Sequence, residues 1–159
     1  MKTMLRNHPL SELRIGQTAE LKRRITARDI ELFAAVSGDV NPVHLDDDFA
    51  ANTVFGGRVA HGMLTGALIS AALATELPGP GTVYLGQSMR FSHPVRIDDA
   101  LTIRLEVSGI REDKGIVTLA CAVLNQDGRT VASGEATVLA PTEPLEIPRP
   151  PTPSFEPAP

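Results

Sequence analysis

The sequence has no tryptophan, one cysteine and six aromatic residues among its 159 positions. With a single thiol, Cys121, no disulfide can form within the chain, which is typical of a protein from a reducing compartment. Cys121 lies in an apolar run and is predicted to be a small buried side chain. Because 42% of the residues are hydrophobic, a core of leucine, isoleucine, valine and alanine is expected.

A basic excess is also absent, since 15 lysines and arginines face 19 acidic residues and the net charge is −4. A nucleic-acid-binding protein needs a basic face, so no nucleic-acid partner is expected. Residues 1 to 16 contain no apolar stretch of the length that a secretion signal needs. The sequence therefore predicts a soluble cytoplasmic protein that does not associate with membranes.

Proline is scarce in most of the chain and concentrated at its end, where eight of the 13 prolines lie within residues 141 to 159. We therefore predict one domain over residues 1 to 140, followed by a proline-rich tail that is extended or disordered.

The longest apolar segment, residues 59 to 77, is long enough to span a membrane. It nevertheless contains His61 and Ser70, lacks a flanking basic cluster and ends at a Pro-Gly-Pro-Gly sequence. A helix that is apolar on all sides is typical of a protein interior, so we predict a buried central helix.

The remaining elements indicate an α+β fold. Thr26 and Asp29 have the spacing of a helix cap, and Gly38 is suited to end that helix. Residues 39 to 44 contain a proline and are predicted to form an ordered loop. An edge strand is expected at residues 17 to 25, and strand patterns separated by turns occur at 82–93, 100–110, 115–125 and 129–139. These predict an antiparallel meander that wraps around the single long helix.

Several kinds of site are excluded by their motifs. The sequence contains no GxSxG nucleophile motif and no glycine-rich phosphate-binding loop. A calcium loop starting at Asp39 fails because Val43, His44 and Ala50 stand where an oxygen ligand, glycine and glutamate are needed. A metal site built from His44, Asp46, Asp47 and His61 has no recognised ligand spacing, so no metal is expected.

Asp39 and His44 remain as a carboxylate and an imidazole on one constrained loop. Such a pair suits the addition or removal of water, although the spacing alone is better explained by a turn aspartate and a surface histidine without a catalytic role. Gly62 begins the central helix, where free N–H groups can polarise a carbonyl oxygen or where glycine can permit close packing. Ser70 lies about two turns further on, and a buried hydroxyl there would need a hydrogen-bond partner.

The Asp-x-Asn-Pro-x-His loop at residues 39 to 44 is followed by His-Gly-Met at residues 61 to 63. Flanking segments add to this pattern, namely Phe33 to Gly38, Tyr84 to Phe91, Pro94 to Asp99, Arg111 to Lys114 and Gly134 to Ala136. Together they resemble MaoC-like proteins, and more narrowly the small (R)-specific enoyl-CoA hydratases that feed polyhydroxyalkanoate synthesis. The resemblance extends over about residues 15 to 140.

The resemblance implies a hot-dog fold in which Asp39 and His44 hold one water. That water adds syn across the double bond of a trans-2-enoyl-CoA and forms the (R)-3-hydroxyacyl-CoA. Asp39 would be the base toward the water that attacks C3, and His44 would help to deliver the proton to C2. The Gly62 N–H would bind the thioester oxygen, and Ser70 would orient Asp39.

The resemblance also implies substrate-binding residues and an oligomer. Asn41 would hold the loop or a second water, and His61 would be one of the substrate-binding residues. The candidates for binding the CoA phosphates are Arg58, Arg90 and Lys114. No metal or redox cofactor is implied, since CoA is part of the substrate, and a homodimer with the sheets joined edge to edge is expected.

Two other functions remain open. A hot-dog acyl-CoA thioesterase usually places its carboxylate on the central helix, where this sequence offers only Glu76 at the far end. A noncatalytic acyl-CoA-binding hot-dog protein would be expected to lack Asp39 or His44. Within the hydratases, a branched enoyl-CoA or an acyl carrier protein thioester is a further alternative.

Overall fold

The chain folds as a five-stranded antiparallel sheet with one long helix on its inner face, in a computed structural model that describes residues 3 to 155. The elements are, in chain order, β1 (Met4–Arg6), β2 (Thr18–Arg24), α1 (Ala27–Ser37), α2 (Pro42–Leu45), α3 (Asp47–Ala51), α4 (Gly62–Thr75), β3 (Val83–Phe91), β4 (Ala100–Arg111), β5 (Ile116–Leu124), β6 (Thr130–Leu139) and β7 (Glu146–Pro148). This is the α+β architecture that the helix and strand patterns predicted, and it is the hot-dog fold that the resemblance implied.

The core lies between α4 and the sheet. Leucine, isoleucine and alanine side chains of α4, among them Ile69 and Ala72, are fully buried against inward-facing residues of the central strands, such as Ile103 and Leu119. The prediction of a buried central helix is thereby confirmed. Among residues 3 to 155, no helix has the length and apolar character needed to cross a membrane. Cys121 is also buried, and its burial raises the pKa of the thiol.

The strand order is β2-β4-β5-β6-β3, with β2 at one edge as predicted. The predicted meander is correct for β4, β5 and β6 but wrong for β3, which pairs with β6 at the other edge. Residues 92 to 99 do not make a tight turn. Instead, Ala60 N–H donates to the carbonyl of Val95 and Val59 pairs with Arg96, so this segment is held beside the start of α4.

The caps of α1 are as predicted, because Thr26 and Asp29 form a capping box and Gly38 has a left-handed conformation with φ of 76°. The predicted loop at residues 39 to 44 is only partly correct, since a helical turn begins at Pro42. Proline fixes φ at a helical value and lacks only an N–H that the first turn leaves unpaired. Asn41 caps this turn by accepting a hydrogen bond from Val43 N–H at 3.2 Å.

Part of the proline-rich segment is attached to the rest of the fold. Strand β7 is extended, as expected for that segment, but it pairs with β1 in a second, two-stranded sheet. Buried Asn7 donates to the carbonyls of Pro80 and Glu143 and accepts from Leu145 N–H. Residues 156 to 159 of the predicted tail lie outside the described residues, and the domain boundary at residue 140 stays a prediction.

We predict that Gly134→Ala severely destabilises the protein. A Cβ at Gly134 in β6 would overlap the backbone carbonyl of Ser88 in β3, so the two strands would have to separate. Such overpacking against backbone should lower the free energy of unfolding by about 3 kcal/mol or more, measured by urea denaturation. Gly86→Ala is the matched control, because a Cβ there meets no atom within 4 Å. Equal stability of the two variants would contradict the prediction.

Candidate active site

A cavity of about 480 Å³ lies where α2, the start of α4 and the end of β3 meet. Most of its lining is apolar, with valines from four different segments and the rings of Phe55 and Phe91. Its polar lining residues are Asn41, His44, Thr65, Ser92 and His93, and Gly62 contributes backbone. An apolar cleft with a few convergent polar groups is the usual form of a small-molecule site.

His44 lines this cavity, and Asp39 faces His44 without lining the cavity itself. The Oδ2 atom of Asp39 lies 3.9 Å from Nε2 of His44, and the two side chains are 50% and 11% exposed. His44 Nδ1 donates to the carbonyl of Val59 at 2.7 Å, which leaves Nε2 directed at the carboxylate. The separation is too long for a direct hydrogen bond, but one water can contact both atoms.

The loop around this pair is held by its own side chains. Asn41 N–H donates to Oδ1 of Asp39 at 3.2 Å, and the amide side chain of Asn41 caps α2. Asn41 therefore holds the loop, which is the first of its two predicted roles.

His61 lies beneath the pair rather than in the cavity. It is 2% exposed, and its ring stacks on that of His44 with centroids 3.8 Å apart. Its Nε2 donates to the backbone carbonyl of Asp39 at 3.0 Å, and Phe33 covers another side of the ring. Neither His61 nor Asp39 is among the residues that line the cavity, and the predicted substrate-binding role of His61 stays a prediction.

The three cations predicted to bind CoA phosphates do not form one cluster. The side chain of Arg58 is 9% exposed and points inward, where its Nε donates to the carbonyl of His44 at 2.7 Å. Arg90 is exposed on β3 and alternates with Met89, which packs against the core. Lys114 is in the turn before β5, at the opposite end of that strand from the cavity, about 30 Å away by the rise of a strand.

The structure places Gly62 as predicted but separates Ser70 from the pair. Gly62 is the first residue of α4, whose N-terminal N–H groups have no partner within the helix. A Cβ there would approach the Phe91 ring at 3.0 Å, which explains the glycine. Ser70 is half-buried about 12 Å further along the helix, and within residues 3 to 155 its hydroxyl makes no hydrogen bond to Asp39.

Thr65 is a polar cavity residue that the sequence analysis missed. It is 3% exposed and lies three residues after Gly62, so helical spacing places both on one face of α4. The three-residue spacing from Gly62 could have predicted from the sequence that Thr65 faces the same cavity.

The side chains that lie close enough together to bind a metal ion differ from the set considered in the sequence. Asp39, His44 and His61 each offer one ligand atom, and these atoms lie within 4.8 Å of one another. Asp46 is instead the cap of α3, and Asp47 is exposed.

Proteins of a known family resemble this chain over most of its length. The profile of the MaoC like domain matches residues 11–127. The chain belongs to the MaoC-like domain family. An (R)-specific enoyl-CoA hydratase of Rhodospirillum rubrum is 46% identical over 136 residues, covering 84% of this chain and 92% of the relative. One of Aeromonas caviae is 46% identical over 129 residues, covering 81% of this chain and 96% of the relative.

The solved structure of unliganded R-hydratase PhaJ1 from Pseudomonas aeruginosa superposes on this MaoC-like domain with a TM-score of 0.93. The two sequences are 51% identical, and the match covers 98% of this chain and 99% of that one. The similarity therefore includes the proline-rich segment as well as the sheet and the central helix.

We predict the positions of two imidazole protons in this MaoC-like domain. Long-range ¹H–¹⁵N spectra should show His44 protonated at Nδ1 and His61 at Nε2, because those atoms face the carbonyls of Val59 and Asp39. The signals can be assigned with His44→Gln and His61→Gln. His8, whose side chain makes no hydrogen bond within residues 3 to 155, is the internal reference. A neutral His44 protonated at Nε2 would contradict the assignment.

Proposed function

We propose that the chain catalyses the (R)-specific hydration of trans-2-enoyl-CoA to (R)-3-hydroxyacyl-CoA. The observation that carries this proposal is the 3.9 Å gap between Asp39 Oδ2 and His44 Nε2, together with the cavity that His44 and the first residue of α4, Gly62, both line. The gap suits one water, and the helix terminus suits an oxygen that gains negative charge. The (R)-specific hydratases that share 46% of their residues with this chain support it over nearly their whole length.

In the productive state His44 carries a proton on Nε2 in addition to the one on Nδ1 that Val59 accepts, and Asp39 carries none. Asp39 takes a proton from the water as the water oxygen bonds to C3, and the electron pair of the double bond moves toward the thioester. The Gly62 N–H stabilises the resulting enolate oxygen. His44 then gives its proton to C2 on the same face, and the proton on Asp39 returns to His44 before the next turnover.

The position of Glu76 argues against the thioesterase alternative. It follows the last residue of α4, about 20 Å along the helix from Gly62, and forms an ion pair with Arg149 at 3.4 Å. The only carboxylate of the central helix region is therefore engaged at the end opposite the cavity. A reaction that needs a carboxylate on that helix beside the thioester has no group to perform it.

We also propose an oligomeric state and a cellular location for the enzyme. A homodimer joined along β3 is supported by the free edge of that strand, which has β6 as its neighbour on one side, and by exposed Val83, Leu85 and Phe91.

A cytoplasmic location is supported by the buried free thiol of Cys121. A solved Aeromonas caviae relative is described as an (R)-hydratase involved in PHA biosynthesis, and we propose the same use of the product here.

We predict that the purified protein bleaches the enoyl-thioester absorbance of crotonyl-CoA near neutral pH, since hydration removes the conjugated double bond. EDTA should leave the rate unchanged because acid–base catalysis by Asp39 and His44 needs no metal. Chiral analysis should find the (R)-3-hydroxy product. Release of free CoA would instead support the thioesterase, and binding without either reaction would support the noncatalytic protein.

We predict that Asp39→Asn and His44→Ala each lower kcat by at least about 100-fold, because each removes a positioned proton acceptor or donor. Asn at position 39 retains an oxygen that can accept from Asn41 N–H, so the loop should keep its shape. Asp48→Asn on α3 is the matched control, since that side chain is exposed nearby. Near-normal turnover of either Asp39→Asn or His44→Ala would refute the assigned roles.

A further inference from the structure

The backbone carbonyls of both candidate catalytic residues accept hydrogen bonds from one short segment. Arg58 Nε donates to the carbonyl of His44 at 2.7 Å, and His61 Nε2 donates to the carbonyl of Asp39 at 3.0 Å. Between these two donors, the carbonyl of Val59 accepts from His44 Nδ1. Residues 58 to 61 therefore contact both ends of the loop and the imidazole itself.

This segment is itself held firmly. The N–H of Val59 donates to the carbonyl of Val43, and the N–H of Ala60 donates to the carbonyl of Val95 in the connection between β3 and β4. Gly62 follows directly as the first residue of α4. The position of the loop is thus tied to the same few residues that place the Gly62 amide.

The burial of the two side chains has a cost. Arg58 Nη2 and His61 Nδ1 are buried and, within the described part of the chain, have no hydrogen-bond partner. A leucine or a phenylalanine would fill the same space without burying polar atoms. The two residues therefore do not serve packing alone, and the contacts that their other nitrogens make with the loop carbonyls identify a different role.

We propose that Arg58 and His61 are positioning residues that clamp the loop of Asp39 and His44 in register with the Gly62 amide. This rests on the proposed hydration activity of the same site. The two residues contact neither the water nor the thioester. They set the distance between the water-holding pair and the oxyanion-binding amide, a distance that matters because a misplacement of about 1 Å can reduce a rate about 100-fold.

Two substitutions test separately the hydrogen-bond donor of His61 and its aromatic ring. His61→Gln keeps an amide N–H at about the position of Nε2 and removes the ring, whereas His61→Phe keeps the ring against His44 and Phe33 and removes the donor. We expect His61→Phe to lower kcat by about 10- to 100-fold with KM changed by less than about threefold. His61→Gln should retain kcat within about fivefold. The reverse order, with Phe active and Gln impaired, would overturn the clamp.

Arg58 is tested in the same way. Arg58→Lys keeps a cationic donor and should retain more turnover than Arg58→Met, which keeps only the apolar stem. His8→Gln and Arg28→Met are matched controls, because neither side chain contacts the loop. Equal kcat for Arg58→Met and the unmodified protein would refute its part of the clamp.

A readout without substrate distinguishes failure of the clamp from failure of the proposed activity. Amide hydrogen exchange at Asn41, His44 and Asp46 should accelerate at least about tenfold in His61→Phe while the strands of the sheet remain protected. Unchanged exchange at these three amides would overturn the proposal even if the enzyme were a hydratase. An unmodified protein that does not hydrate crotonyl-CoA, together with accelerated exchange, would refute only the activity.

Discussion

The hydrogen bond from His44 Nδ1 to the carbonyl of Val59 is the contact on which the candidate site depends. It joins the helical turn after Pro42 to the segment that leads into α4, two parts of the chain that are 15 residues apart. The bond directs the other imidazole nitrogen, Nε2, at Asp39. A gap of the size of one water molecule is thereby left between this nitrogen and the carboxylate. Without it, the pair would be two polar groups on a surface loop.

The rigidity of this arrangement comes from the layer beneath it. Seven of the 14 residues of α4 are buried, among them Ile69 and Leu73 in the core that the helix forms with the sheet, while Met63 on another side of the helix is exposed. A helix buried in this way cannot rotate or slide without exposing apolar surface. Its N-terminus therefore stays in place, and the segment of Arg58 to His61 transmits that position to the loop. Core packing and catalytic geometry are linked through four residues.

Local features of this fold could be predicted from sequence because their causes are local. The cap at Thr26, the left-handed end at Gly38 and the alternation of β4, β5 and β6 all depend on neighbouring residues. The loop motif likewise identified Asp39, His44 and Gly62. Residues whose roles depend on distant partners were harder to assign. Arg58 was named as a candidate for phosphate binding and His61 as a substrate-binding residue, but their contacts with backbone carbonyls could not be predicted from sequence.

Short stretches of chain were enough to predict the fold class, the family resemblance and the candidate pair of Asp39 and His44, since periodicity and a compact motif are local. The folded chain was needed to show that β3 crosses to the far edge, that β7 of the proline-rich segment pairs with β1, and that Lys114 lies at the opposite end of the sheet from the cavity. These outcomes depend on which distant backbone groups can satisfy one another once α4 is buried. Every residue has a backbone carbonyl, so the sequence does not indicate which carbonyl accepts a hydrogen bond from a distant side chain.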